Sequence, residues 1–109
     1  MITILQNKEY ADGILFEAKD SDEILGTLLC EIEEDTVIIK EIKSTVFLID
    51  GLCRAALNFA FNRLINKCRF EPQEKSVLNE LLRLQFVQND NYYIDNIDNF
   101  FTSHKNCKK

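Results

Sequence analysis

Cysteines, one histidine and the start of the longest apolar helical pattern are where this sequence offers groups able to do chemistry. The cysteines are Cys30, Cys53, Cys68 and Cys107, widely separated and without a CxxC pair, so the usual zinc-ligand spacing is missing. His104 and Cys107 stand three apart, but a site needs more ligands than these two, and no metal is expected. Cys30, Cys53 and Cys68 fall in apolar runs and read as small core residues. All four are expected as thiols in a reducing cytoplasm. Cys53 has a second reading as a nucleophile, because helix N-termini lower thiol pKa. No paired histidine supports it, since His104 lies in the tail and reads as a solvated residue. Asp50 is a natural N-cap, its carboxylate accepting from the amides of a first helical turn. Gly51, Leu52, Cys53 and Arg54 follow it, and their amides could hold a phosphate as readily as a cap, with Arg54 as a supporting cation.

The elements that must position these groups follow from periodicity. Residues 50–66 read as a buried central helix, with Leu52, Ala55, Ala56, Phe59 and Ala60 at helical spacing and Leu57, Phe61, Leu64 and Ile65 widening the stripe. Before it, residues 2–5, 14–19, 23–33 and 36–43 read as strands joined by short polar turns, an antiparallel meander. Gly26 inside the third strand marks a bulge or a close backbone approach. Residues 44–49 connect the meander to the helix, and residues 68–71 form a strand directly after it. Strand, helix, strand implies a right-handed crossover and a parallel pair. Pro72 ends that strand and begins a second helix over 73–84, with Val77, Leu78, Leu81, Leu82 and Leu84 as its core stripe. Residues 86–88 and 92–94 flank Asn89-Asp90-Asn91 as a hairpin. Ile97, Phe100 and Phe101 suggest a last helical turn before a basic tail.

The totals set limits on partners. A chain of 109 residues with one proline and three glycines is expected to form one domain, 1–109, and 46% hydrophobic residues with eight phenylalanines give it a bulky core. The formal net charge of -5 and the lack of a basic stripe argue against nucleic acid and anionic membrane as partners. Met1 to Leu5 is too short for a signal peptide's apolar region, and no run is long enough to span a bilayer. A cytoplasmic protein is the expectation.

The resulting order, an α+β arrangement with a mixed, mostly antiparallel sheet around a central buried helix and a second helix, resembles the C-terminal two-thirds of the GNAT-type N-acetyltransferase superfamily, over residues 13–101. In that family the strand before the central helix splays from its neighbour, and acetyl-CoA lies in the opening. Its V-x-P-x-Y-R-G-x-G-x-G/A segment falls here on Lys43-Ser44-Thr45-Val46-Phe47-Leu48-Ile49-Asp50-Gly51-Leu52-Cys53. Phe47 stands at an aromatic position and Gly51 at a glycine. Leu48 replaces the arginine, Ile49 and Cys53 replace glycines, and Asp50 puts a negative charge where a diphosphate would sit. The family's Y-x-x-L-G-F run becomes Leu81-Leu82-Arg83-Leu84-Gln85-Phe86, so the tyrosine that protonates departing thiolate is Leu81. Tyr92 and Tyr93 on the following hairpin read as packing or strand residues. The two helices that wall the amine site have no room between residues 6 and 13.

The resemblance implies an acyl-CoA-binding protein, with acetyl-CoA or another acyl-CoA held by the amides of Lys43 to Thr45 along the pantetheine and of Gly51, Leu52, Cys53 and Arg54 at the diphosphate. It implies an N-acetyltransferase acting by direct attack of an amine on the thioester, with Glu41 as the base on the strand entering the splay. The alternative is a non-catalytic binding or assembly module of the same fold, forming a homodimer or meeting a protein partner through the sheet left bare by the missing helices.

Overall fold

The computed structural model of the chain describes residues 1–106, with side chains as far as Thr102. Cys107 and the His104 side chain lie outside the described residues. Alternating apolar and polar residues form β1 (Ile2–Asn7), β2 (Ile14–Asp20), β3 (Glu23–Glu33) and β4 (Thr36–Ser44), each antiparallel to the one before. Helix α1 (Val46–Asn62) follows and leads to β5 (Lys67–Phe70), which lies parallel to β4. Then come α2 (Lys75–Arg83), β6 (Tyr93–Ile94), antiparallel to β5, and α3 (Ile97–Asn106). The six strands lie in one sheet in the order β1-β2-β3-β4-β5-β6. A mixed, mostly antiparallel sheet with a central helix is therefore what forms, as the sequence pattern predicts. No helix of the described residues is long and apolar enough to cross a membrane.

The core lies between one face of the sheet and the helices. Phe16, Ala18, Leu28, Cys30, Val37 and Ile39 from the strands meet Ile49, Leu52, Cys53, Ala56, Leu57 and Ala60 from α1, all buried. Phe86 and Ile97 close its far end. Among the described residues, no helix covers the opposite sheet face. Leu5 is 69% exposed there, and Leu15 and Leu29, paired across β2 and β3, are half-buried.

The central helix differs from the sequence pattern at both ends. The central helix starts at Val46, not at Asp50, because Ile49 and Leu52 are both fully buried against the sheet and draw the preceding turn into the helix. Thr45 takes the N-cap position without a side-chain cap bond. The helix ends at Asn62, not at Asn66: Leu64 adopts φ 65°, Leu64 N–H donates to the Phe61 carbonyl and Ile65 N–H to that of Ala60. This is the Schellman arrangement that closes a helix with a left-handed residue. Leu64 is thus 95% exposed rather than part of the apolar stripe.

The expected hairpin of residues 86–94 is also corrected. Phe86 and Val87 are each only 2% exposed, and they plug the core after α2 instead of forming a strand. Gln88 bridges to Asn91 around the turn, while β6 pairs with β5 through Cys68–Ile94 and Arg69–Tyr93. The last helical turn is a helix of 10 residues.

Candidate functional site

The site begins with a defect in β4. Cys30 faces Ile39 and Leu29 faces Glu41, which leaves Lys40 as an extra residue in the ladder. Such a bulge bends its strand and raises the local twist. β5 keeps register with β4 from Thr36–Lys67 to Ile39–Phe70, and Glu71 N–H adds a last bond to the Ile39 carbonyl at 2.9 Å. Pro72, without an N–H, cannot extend the ladder. The pairing ends there, and the remainder of β4 has no strand beside it on that edge.

A side chain takes the missing strand's place. Gln73 Oε1 accepts from Ile42 N–H at 2.9 Å, and Gln73 Nε2 donates to the Lys40 carbonyl at 3.2 Å and to the Glu71 carbonyl at 2.9 Å. One carboxamide therefore bridges both strands just past their divergence. Beside it lies a cavity of about 380 Å³ lined by Leu29, Lys40, Glu41, Ile42, Pro72, Gln73 and Glu74. Lys40 Nζ crosses to Glu71 Oε1 at 3.2 Å and fastens the two strands at the same level. Hydrogen bonding to Glu71 and the charge of Glu31 raise the Lys40 pKa. Gln73 was not singled out by sequence reasoning. Its only local signal is a carboxamide placed directly after the strand-ending Pro72.

The sequence-derived candidates are distributed unevenly around this cleft. Glu41 lines the cavity, half-exposed, with Lys43 Nζ at 3.8 Å from its carboxylate. Thr45 alone separates β4 from α1, so residues 46–49, expected to connect the meander to the helix, form its first turn. Gly51, Leu52, Cys53 and Arg54 lie in the second turn and beyond, where each amide has a carbonyl four residues back as its acceptor. The amides without an intrahelical acceptor are those at the start, at Val46 and Phe47. Asp50 does not cap the helix: its carboxylate receives Arg54 Nε at 3.0 Å, an i,i+4 pair, and the Arg54 guanidinium lies 6.0 Å from the Phe101 ring centroid.

Gly51 has a packing reason of its own. A Cβ there would stand 2.6 Å from Ile4 Cδ1, so the missing side chain lets α1 sit close to β1. The obstructing atom is the tip of a flexible side chain on an edge strand. Gly51→Ala is therefore expected to raise stability, by up to about 1 kcal/mol, as Ala replaces Gly in a helix interior. Urea unfolding measures this, and a loss above 1 kcal/mol would show that Ile4 cannot move. Gly26 is tighter, since its Cβ would lie 2.6 Å from Ser44 Oγ and 2.9 Å from Ser44 Cβ. The β2–β3 register shifts beside it, so the expected bulge and the close approach are both present.

Cys53 is no nucleophile. It is fully buried, and burial first, then Cys68 and Asp50, raises its pKa well above that of a free thiol. Burial also pushes Cys30 up to about 12 and raises Cys68. Leu81, where the resemblance places a tyrosine, is 1% exposed in the core. The backbone turns left-handed just after α2: Gln85, at the glycine position of that run, has φ 68°, and Phe86 N–H donates to the Leu81 carbonyl. Tyr93 pairs on β6 and the Tyr92 carbonyl receives Phe70 N–H; neither lines the cleft. A larger cavity of about 700 Å³ between Gln85 and Phe100 is lined by amides and aromatics with Asp95 as its one charged residue. No group of three or more potential metal ligands occurs among the described residues.

Neither a protein-family model nor a curated protein matches the sequence. A solved structure does match in shape: IAA acetyltransferase from Bacillus cereus ATCC 14579, with a TM-score of 0.62 and 17% identity, over 80% of this chain and 76% of that one. At that identity the likeness is one of fold.

Proposed function

From a chain with the GNAT-type acetyltransferase fold, we propose a protein that binds an acyl-CoA by its amide-bearing arm in the cleft between β4 and β5. The observation that carries this reading is the Gln73 carboxamide across the Lys40 carbonyl and Ile42 N–H. An edge that holds one carboxamide so fully presents a donor and an acceptor to the amides of such an arm. The arm would lie along β4 toward Lys43 and Thr45. Its diphosphate would meet the first amides of α1, Val46 and Phe47, rather than those of Gly51 to Arg54.

The chemistry we assign is binding before transfer. Leu81 has no proton to give a departing thiolate, so tyrosine-assisted release is not open to this chain. If an amine does attack the thioester, Glu41, which with Glu74 is one of two carboxylates lining the cleft, could take its proton. Titration calorimetry with acetyl-CoA and with free CoA tests the reading. Saturable micromolar binding (about -8 kcal/mol) supports it, and no heat together with no thermal shift overturns it.

A second reading rests on a separate observation, the open sheet face with Leu5 69% exposed. In it the fold serves assembly, and a second copy of the chain covers that face. Light scattering after size exclusion would then give twice the 12.7 kDa of one chain. A clean monomer at high concentration would count against it.

A further inference from the structure

We propose that Gln73 is a resident occupant of the cleft, competing with the amides of an incoming ligand for the same backbone groups and so setting the ligand's affinity. This rests on the acyl-CoA reading of the cleft given above. A primary carboxamide has one oxygen and two N–H groups, and at Gln73 all of these are engaged: the oxygen with Ile42 N–H, the nitrogen with the carbonyls of Lys40 and Glu71. Few side chains can do this. Asparagine is one methylene shorter, and glutamate offers no donor for the two carbonyls. The three bonds satisfy backbone groups that the divergence of β4 and β5 would otherwise leave unmade.

The same features make the occupant removable. Gln73 is half-buried, not buried, and sits in the short link between β5 and α2. Glu74, the N-cap residue of the helix behind it, makes no side-chain cap bond. Gln73 can therefore leave by side-chain rotation alone, with Glu71 N–H still bonded to the Ile39 carbonyl and Lys40 still paired with Glu71. The incoming arm carries two secondary amides, and because N–H and C=O of a trans amide point opposite ways, one would accept from Ile42 N–H and the other donate to the Lys40 carbonyl. The apparent affinity is the intrinsic one multiplied by the fraction of molecules with the cleft open. With three modest bonds holding it shut, that fraction is of order one in ten or lower.

The test compares the parent and Gln73→Ala for binding of acetyl-CoA and of pantetheine, which carries the arm without the nucleotide. The expected result is an affinity gain of about tenfold or more for both ligands in the variant. Equal affinity in parent and variant overturns the competition while leaving the cleft reading intact. No binding by either protein overturns both. Should the variant fail to fold, NMR of the parent's Gln73 side-chain amide decides. Its two protons are expected to shift to solvent-like positions as acetyl-CoA is added, and protons unmoved at saturating acetyl-CoA overturn the proposal.

Discussion

Above pH 9 the folded protein is expected to lose stability steeply, by about 4 kcal/mol per pH unit if all three buried thiols act together. Cys30, Cys53 and Cys68 are fully buried, and burial raises each pKa, that of Cys30 from 9.0 to about 12. The folded chain therefore keeps protons that the unfolded chain releases. Stability is fully present below the unfolded thiol pKa and is lost as pH rises toward the folded value, a window of about 9 to 12 for Cys30. Urea unfolding at pH 8, 9 and 10 measures the slope. Cys30→Ala combined with Cys68→Ala should flatten it, which separates the thiols from lysine and tyrosine titration. A slope indifferent to those substitutions would mean that the thiols ionise in place.

The second large effect is expected at Phe86. Its ring is stacked on Phe100 at 5.2 Å and tilted against Phe70 at 6.2 Å, and it is 2% exposed. Phe86 therefore joins α3 to β5 through one side chain placed directly after α2. Removal leaves a cavity bounded by an aromatic ring from each element, which neither can fill by a local shift. Phe86→Ala should cost about 3–5 kcal/mol, lowering the melting temperature by roughly 15 °C or more. Phe86→Leu, which keeps most of the volume, should lose markedly less. Equal losses for the two would show that stacking, and not volume, sets the cost.

The parts of the fold that sequence periodicity revealed are those in which one residue's face is decided by its near neighbours. β3 spans Glu23–Glu33 as its alternation indicates, and the parallel β4–β5 pair follows from a strand-helix-strand order. The helix start was obscured by Val46, Phe47, Leu48 and Ile49, an apolar run that suits a strand as well as a helix. Asp50 added an attractive but mistaken cap. Its true partner, Arg54, stands one turn further along the same helix face. The helix end was obscured by Leu64 and Ile65, which continue the apolar stripe although Leu64 turns left-handed into solvent.

The candidate site was visible only in outline. The resemblance pointed to an opening beside the strand before the central helix and put Glu41 on that strand. It could not reveal Gln73, because a side chain bonding to strand backbone 31 residues away leaves no periodic trace. Nor did the glycine in Gly51 distinguish a close approach to phosphate from a close approach to Ile4. A missing Cβ suits either approach, and only the position of the helix start separates them.

Strand order across the sheet repeats the order along the chain. Each neighbour pair from β1 to β4 closes across a turn of a few residues, whereas β4 and β5 must find each other across the whole of α1. Closing a longer loop costs more chain entropy before any contact rewards it, and pairings distant in sequence slow folding. The meander is therefore expected to zip first and the β4–β5 seam to join later, an order that pulse-labelled hydrogen exchange would reveal if the β2–β3 amides gain protection before Glu71 and Ile42. A protection order with Glu71 first would refute it. On this route the cleft is the suture of the molecule: the groups proposed to receive a ligand are joined only after the meander has formed, and a ligand bound there would take over from Gln73 the backbone groups at the end of that seam.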